Sequence, residues 1–451
     1  MSGCCSDRAA DARMRRPNGY VLVFGALTLF FILVPAAGLA IDVGMMYLVK
    51  SLLMAASDGA ALAGARALNR GSDDAQQRAN AEATANSYLR ANFPSGYMWS
   101  TNLQVSSVAA VESQHVRSLT TTARVQLPLV FMRFFRTDST MVSASSKATR
   151  RDTNIMLVMD RSTSLGSGPG SACEALKAAA KMYVDGFAEG RDNVGLITFG
   201  TNSSVISALS TTFKTPINNA LNSLSCSGYT NMSQGLWQGY DALVRLNQTG
   251  ALNSLLLFTD GLPTALTEAF PIKPNPDACT PKTITGVLNY GPAGLYNPLY
   301  PPDQQYVSGT SNCQFPSTSH INYAPVLDVW GNSLTATGYK TTYPSGAGLS
   351  LSSQQRIENL ATNAADHAGY RIRSGAFDPG PGRSLSGVVI YTIGYGASSD
   401  PTLLKRIAND PSLAPNPVAA GAQGKYEYAG DASQLNDAFR AIASQMLRLA
   451  Q

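Results

Sequence analysis

The first feature of the chain is an uncharged apolar run of 22 residues, from Tyr20 to Ile41. A helix of that length measures about 30 Å, which matches the hydrocarbon core of a bilayer. Apolar and small residues keep helical spacing as far as about Leu68, so the pattern predicts a membrane helix at 20–41 that continues beyond the bilayer. A cleaved signal peptide is the alternative, since small residues lie near the end of the run, but its apolar segment would be unusually long.

Basic residues are concentrated before this run, at Arg8, Arg13, Arg15 and Arg16. After it, the first basic residue is Lys50. The positive-inside rule therefore predicts that residues 1–19 are cytoplasmic and that the rest of the chain lies outside the cytoplasm.

Beyond the long helix the pattern becomes an alternation of apolar and polar residues. Between Asn102 and Ala148, short stretches rich in Val, Thr and Ser have a period of two, which predicts the strands of a small sheet. Residues 42–150 are therefore expected to form a small, pilin-like α+β region.

The second half of the chain predicts a different architecture. Four apolar runs without alternation are separated by helical patterns: IMLVMD at 155–160, VGLITF at 194–199, LLLFTD at 255–260 and VVIYTIG at 388–394. Such runs are typical of a parallel sheet covered by helices on both faces. The predicted fold class is α/β, a doubly wound, Rossmann-like, mostly parallel sheet within residues 152–451. Ligands of such sheets bind at the carboxyl ends of strands, where Asp160 and Asp260 lie.

A long insertion separates the last two of these strands. Residues 263–350 are rich in Pro, Tyr, Gly and Asn and contain few periodic apolar residues. We expect a segment without a core of its own that emerges beside Asp260 and presents tyrosines as a recognition surface. A self-packed loop without a binding role is the alternative.

Three motifs follow one another in this half of the chain: D-x-S-x-S at 160–164, Gly228-Tyr229-Thr230-Asn231, and Thr259-Asp260-Gly261. Together they resemble the metal-ion-dependent adhesion site of von Willebrand factor A (VWA) domains, over about residues 154–443. The resemblance implies a divalent cation that also binds an acidic side chain of a protein ligand. By the same resemblance the cation is held by Asp160, Ser162, Ser164, Thr230 and Asp260.

The chemistry of these side chains agrees with that resemblance. Alternate residues of an extended loop point the same way, so Asp160, Ser162 and Ser164 can direct oxygens to one point. Two carboxylates and three hydroxyls, without Cys or His, suit Mg²⁺, or else Mn²⁺ or Ca²⁺. The alternative is that the two serines only cap a helix that begins near Cys173.

The N-terminal part carries a second resemblance. Its apolar span is followed by D-x-G-x-x-Y at 42–47 and by an Ala-rich helix. This order resembles TadE/TadG-like proteins of bacterial tight-adherence (Flp) pilus systems, over about residues 15–150. Pseudopilins of these systems carry an acidic residue five positions after a processed Gly, whereas here Phe24 follows Gly19 at that distance. The processing site is therefore expected to be missing and the membrane helix to be retained.

Composition argues against two other classes of protein. Charged residues make up 14% of the chain, and the net charge of +5 contains no long basic run, so nucleic-acid binding is not expected. The sequence has no G-x-S-x-G elbow, the glycine-rich stretch at 166–170 lacks the G-K-[ST] ending of a phosphate loop, and the three histidines have no metal-ligand spacing. His367 is expected to be solvated on a polar helix. An enzyme is therefore not expected.

Six cysteines are present. Cys4 and Cys5 precede the apolar run and are expected to stay unpaired in the reducing cytoplasm. The other four lie in an oxidising compartment and allow three pairings. The predicted pairs are Cys173 with Cys226, near the metal loops, and Cys279 with Cys313, in the insertion. Four free thiols are the alternative.

The sequence as a whole predicts a non-enzymatic VWA protein of the bacterial envelope, anchored in the inner membrane by one helix. Its large domain would be periplasmic or surface-exposed and would act in Flp/Tad pilus assembly or adhesion, with other pilus-assembly membrane proteins as further partners. A periplasmic scaffold unrelated to pili is the first alternative, and a metal-dependent hydrolase is the second.

Overall fold

The computed structural model describes residues 19–68, 70–71, 73–113, 115–271, 283–289, 295–296, 323–375 and 384–449. The chain forms two compact units. The first contains the residues up to 63 together with 83–108 and 120–147. The second contains 64–82, 109–119 and the residues from 148 onward.

The N-terminal helix is continuous through the predicted span. It consists of α1 (Gly19–Thr28), a π-helical turn at Leu29–Leu33 and α2 (Val34–Ala67). Pro35 has no N–H to donate to the preceding turn, and the wider π-helical turn lies just before it. Residues Val23–Ala67 form a helix long and apolar enough to cross a membrane. The sequence prediction of a helix to about residue 68 is confirmed.

A third helix, α3 (Asp74–Asn92), precedes a three-stranded sheet. Its strands are β1 (Thr101–Ser113), β2 (Val116–Pro128) and β3 (Ser139–Arg151), in the order β1-β2-β3. A 3₁₀ turn at Met132–Phe135 connects β2 to β3. Alternate residues of β2 are buried, among them Ala123, Val125 and Leu127, as the period of two predicts.

The rest of the chain alternates strands and helices. In chain order these are β4 (Thr153–Asp160), α4 (Ala172–Asp185), β5 (Asn193–Phe199), β6 (Ser203–Ser210), α5 (Lys214–Ser223), α6 (Met232–Leu246), β7 (Leu252–Thr259), β8 (Ala265–Pro271), β9 (Thr283–Asn289), β10 (Leu295–Tyr296), β11 (Pro344–Ser345), β12 (Gly348–Leu349), α7 (Gln354–Ser374), β13 (Val389–Tyr395), α8 (Pro401–Ala408), β14 (Tyr426–Ala429) and α9 (Ala432–Leu449).

Six of these strands form one sheet in the order β14-β13-β7-β4-β5-β6. All neighbours are parallel except β6, which runs antiparallel to β5 at one edge. The predicted doubly wound, mostly parallel sheet is therefore confirmed. Its two edge strands, β6 and β14, were not predicted, because each is short or half-exposed and lacks a long apolar run.

Helices cover both faces of this sheet. On one face, Ile155, Leu157 and Met159 of β4 pack in a cluster with residues of α4, α5 and α9. On the other face, Met156 and Val158 pack with residues of α6, α7 and α8. Because both faces are apolar, β4 shows no alternation in the sequence.

The insertion differs from its prediction in one respect. Strands β8 and β9 form an antiparallel pair, and Leu266, Phe270 and Leu288 pack with Ala324, Leu334 and Leu349 against α7. The expectation that this segment lacks a core is wrong for its described residues. The apolar residues come from stretches far apart in the sequence and share a helix outside the insertion, so no local periodicity indicated them.

Candidate metal site

Two parallel strands bring the predicted metal loops to one edge of the sheet. Strand β4 ends at Asp160 and β7 ends at Thr259, and Met159 is in register with Phe258. The loops that follow the two strands therefore begin side by side, at the carboxyl edge where ligands of such sheets bind.

Three oxygen-bearing side chains converge at this edge. The Ser164 hydroxyl donates to Oδ1 of Asp260 at 2.8 Å, and the Ser162 hydroxyl lies 3.4 Å from the same oxygen. The two serine oxygens are 2.9 Å apart. The two serines of the D-x-S-x-S loop and Asp260 thus form one cluster of oxygens.

The capping alternative for the two serines is wrong. The N-cap of α4 is Ser171, whose hydroxyl accepts a hydrogen bond from the Glu174 N–H at 3.3 Å. The short 3₁₀ turn at Thr163–Leu165 begins after Ser162 without a capping bond from that side chain. Ser162 and Ser164 instead face Asp260.

Asp160 is completely buried behind this cluster. Its Oδ1 accepts the Ser162 N–H at 2.7 Å, and its Oδ2 accepts the Thr259 hydroxyl at 2.6 Å. Burial and the nearby Asp260 carboxylate raise the pKa of Asp160 to about 7. Burial also raises the pKa of Asp260. Two carboxylates are therefore held close together in a site that disfavours their negative charges, which a cation would relieve.

Thr230 is fixed by its backbone. Its N–H donates to Oγ1 of Thr264 at 3.0 Å, and its carbonyl accepts the N–H groups of Thr264 at 3.0 Å and Ala265 at 3.3 Å. The side chain is buried. The contacts that join the predicted ligands directly are those of Asp160, Ser162, Ser164 and Asp260.

Five further residues, which the sequence did not single out as functional, hold these loops. Thr163 makes three hydrogen bonds with Gly228. The N–H and the hydroxyl of Thr163 donate to the Gly228 carbonyl, and the Thr163 hydroxyl oxygen accepts the Gly228 N–H at 2.9 Å. Arg161 and Ser227 bind each other, and the Thr201 hydroxyl accepts the Tyr229 N–H. Thr259 orients Asp160. Thr163 and Thr259 lie inside the motifs, so their hydroxyls were a signal that could have been used.

The structure joins Cys173 to Cys226 by a disulfide. Cys173 lies in the first turn of α4, and Cys226 lies just before the Gly228–Thr230 loop. The bond therefore ties the loop that carries Thr230 to the helix that follows the D-x-S-x-S loop. The four other cysteines, Cys4, Cys5, Cys279 and Cys313, lie outside the described residues.

This set of residues fits a hard divalent cation. Two carboxylates and neighbouring hydroxyls are the ligands that Mg²⁺ prefers, and they also suit Mn²⁺ and Ca²⁺. Among the described residues, no group of three or more His, Cys, Asp or Glu side chains is arranged to hold a metal ion. A bound cation would supply a coordination position for an oxygen of a partner.

His367 lies away from this site and differs from its prediction. It is half-buried, and its Nδ1 accepts the Ser333 N–H at 2.9 Å. Burial and the nearby Arg371 lower the pKa of His367 to about 4. The expectation of a solvated histidine is wrong, because residues of the insertion pack over this polar face of α7.

Comparison with protein families finds two matching models. Residues 155–262 match the von Willebrand factor type A domain, and residues 19–67 match the putative Flp pilus-assembly TadE/G-like family. Both resemblances drawn from the sequence are confirmed. A search of curated proteins finds no match.

The solved structures to which this chain is similar include three from bacterial pili. The pilus adhesin SpaC from Lactobacillus rhamnosus GG is 16% identical, with 77% of this chain and 35% of that chain covered and a TM-score of 0.38. The PilB minor pilin from Streptococcus sanguinis is 15% identical, with 79% and 80% covered and a TM-score of 0.39. The vWF domain of the type V pili tip protein Mfa5 from Porphyromonas gingivalis is 16% identical, with 67% and 98% covered and a TM-score of 0.39.

The chain spans about a third of the length of SpaC. Because the identities and TM-scores are this low, no function, ligand or partner of this chain follows from these three proteins.

Proposed function

We propose that this protein, whose chain joins a Tad segment to a VWA domain, is a non-enzymatic component of a bacterial Flp/Tad pilus system, acting in assembly or adhesion. It is anchored in the inner membrane by the helix that contains residues 20–41, with residues 1–19 in the cytoplasm and the VWA domain in the periplasm or at the surface. The VWA domain binds a protein partner through a divalent cation.

One observation carries the binding part of this proposal. Oxygens of Ser162, Ser164 and Asp260 converge within 3.4 Å of one another at the carboxyl edge of the sheet, beside the buried Asp160. With Thr230 these residues would hold Mg²⁺, or Mn²⁺ or Ca²⁺. An acidic side chain of the partner would complete the coordination of the ion.

The charge of the site favours this kind of partner only when the cation is present. Two buried carboxylates repel an acidic side chain, whereas a divalent cation held by them would attract it. Binding of the partner is therefore expected to require the metal and to be lost in a chelator.

The metal site can be tested by calorimetry with the full-length chain in lipid nanodiscs. Wild type is expected to bind Mg²⁺, and Asp160→Ala is expected to lose binding because the loop loses its strand-end carboxylate. Asp437→Ala, which removes an exposed aspartate of α9, is the matched control and should bind as wild type does. Circular dichroism of both variants monitors folding. Unchanged Mg²⁺ binding by Asp160→Ala would contradict the site.

The pilus role can be tested in cells that carry Asp160→Ala in place of the native gene. Loss of surface pili supports assembly, and normal pili with reduced adhesion support adhesion. Normal pili and normal adhesion, in cells where the variant is present at the wild-type level, would contradict both roles.

A further inference from the structure

We infer that residues 130–136, the turn between β2 and β3, form a second membrane contact, which inserts phenylalanines into the lipid around the N-terminal helix. This inference rests on the proposed membrane anchoring by that helix. It concerns the first compact unit alone, which contains both segments.

Asp42 fixes the turn to the end of the apolar span. Its Oδ1 accepts the Val130 N–H at 2.9 Å, and its Oδ2 accepts the N–H groups of Phe131 at 3.0 Å and Met132 at 2.8 Å. Asp42 directly follows Ile41, the last residue of the uncharged run. The start of the turn is therefore held at the level where the helix is expected to leave the hydrocarbon core.

Gly38 brings the turn closer to the helix. A Cβ atom at this position would lie 2.4 Å from ring atoms of Phe131, which is far inside van der Waals contact. Gly38 lies about 6 Å before Asp42 along the helix, toward the centre of the span. The Phe131 ring therefore packs against the span itself, closer to the centre of the span than the Asp42 carboxylate.

An apolar cavity of about 960 Å³ continues from this contact. Phe31, Val34 and Leu39 line it on the helix, and Met132, Phe134 and Phe135 line it on the turn. Phe134 is 80% exposed and Phe135 is 66% exposed. In water these side chains would form an unusually large exposed apolar patch, whereas in a bilayer they would meet acyl chains.

Backbone N–H groups of the turn have hydrogen-bond partners within the protein, which suits an apolar environment. Asp42 accepts three of its N–H groups, and those of Phe134 and Arg136 donate to the carbonyls of Phe131 and Arg133. At the two ends of the turn, the Leu129 N–H donates to Asp138 and the Thr137 N–H donates to Met132. A polar backbone group without a partner is costly in lipid, so these bonds lower the cost of insertion.

The charges of the turn favour lipid over a protein partner. Arg133 and Arg136 are exposed on either side of the phenylalanines. Long basic side chains extend to lipid phosphates while neighbouring apolar groups enter the acyl region. The helix and the turn line the same cavity, so the lipid that surrounds the span also has access to the turn. The occupant is therefore the bilayer in which the helix lies.

Fluorescence quenching by lipids with brominated acyl chains tests this inference. Phe134→Trp is introduced into the full chain, in vesicles of phosphatidylethanolamine and phosphatidylglycerol. Wild type has three tryptophans, so its emission is subtracted to give the emission of the added tryptophan. We expect this added emission to be quenched to about the extent seen for Leu29→Trp, a position within the span. Tyr428→Trp, on β14 of the VWA domain, should show no quenching.

Two glycine variants then test the contact that positions the turn. Adding Gly38→Ala to Phe134→Trp should reduce the quenching, because a Cβ displaces the Phe131 ring. Gly25→Ala is the matched control, since a Cβ at Gly25 meets nothing within 4 Å.

The outcomes separate this inference from the proposed anchoring. Quenching of Leu29→Trp without quenching of Phe134→Trp would overturn the second contact and leave the anchor intact. A blue-shifted but unquenched emission from Phe134→Trp would also overturn it, since the turn would then be covered by protein, such as a second copy of the chain. No quenching of Leu29→Trp would contradict the anchoring itself.

Discussion

The Thr259 hydroxyl donates a hydrogen bond of 2.6 Å to Oδ2 of Asp160, although the two residues are 99 positions apart in the sequence. They belong to the neighbouring strands β7 and β4. The other oxygen of Asp160 accepts the Ser162 N–H. The carboxylate is therefore held in one orientation, which would reduce the cost of assembling the proposed metal site.

Replacement of Thr259 by Val should weaken Mg²⁺ binding by about tenfold, because the Asp160 carboxylate loses the bond that orients it. Thr259→Ser keeps a hydroxyl at this position and should bind within a small factor of wild type. Calorimetric titration of both variants measures the difference. Equal affinities for Thr259→Val and wild type would show that this hydrogen bond does not contribute.

The affinity for Mg²⁺ should fall as the pH is lowered from about 8 to about 6, because burial and Asp260 raise the pKa of Asp160 to about 7. Protons then compete with the ion for this carboxylate. The free energy of unfolding of the metal-free protein should instead increase as the pH is lowered over this range. The pKa of Asp160 in the folded state is above its unfolded value near 3.9, so its contribution to stability is present at low pH and is lost as the pH rises through about 7.

Thermal melts at both pH values, with Mg²⁺ or with EDTA, measure this linkage. The increase in melting temperature caused by Mg²⁺ should be larger at the higher pH. An increase that is equal at both pH values would argue against Asp160 as a ligand.

The double variant Cys173→Ala/Cys226→Ala should lower the free energy of unfolding by about 2 to 4 kcal/mol. The disulfide closes a loop between residues separated by 53 positions, so its removal frees the unfolded chain. Urea denaturation of wild type and variant measures the change. The same experiment in reducing buffer is the control, since the difference between the two proteins should shrink when wild type is also reduced.

The pairing of Cys279 with Cys313 stays a prediction. Peptide mapping of the exported protein under non-reducing conditions should recover a peptide that joins them. A link between Cys226 and Cys279 would contradict both predicted pairs.

Arg406→Met should lower the free energy of unfolding by about 3 to 5 kcal/mol, because it leaves the Asp366 carboxylate buried without the guanidinium that donates hydrogen bonds to it. Nε and Nη2 of Arg406 donate to both oxygens of Asp366 at 2.6 to 3.1 Å, and both residues are buried. Arg245→Met is the matched control. Arg245 pairs with Asp241 on the surface of α6, so this variant should lower the free energy of unfolding by less than about 1 kcal/mol. Similar decreases in the free energy of unfolding for the two variants would show that burial does not increase the contribution of the ion pair.

The sequence alone determined the features that depend on neighbouring residues. The apolar run predicts the N-terminal helix because a spanning helix needs about 20 consecutive apolar residues. The strands that end at Asp160 and Thr259 were evident because strands buried on both faces are continuously apolar. The D-x-S-x-S loop, the Gly228–Asn231 motif and Thr259–Gly261 also lie within short stretches, so their order along the chain indicated a VWA domain.

Only the tertiary structure decided the contacts between distant residues. The edge strand β6 pairs through its backbone, and its half-exposed side chains leave no apolar run to detect. The insertion buries Leu266, Leu334 and Leu349 against α7, although none of them belongs to a periodic pattern. Asp42 binds the N–H of Val130 across 88 positions, a contact that side-chain periodicity cannot reveal because the partner is a backbone group. Sequence patterns record which face of an element is buried, whereas the choice of the partner that buries it is made by the packing of the whole chain.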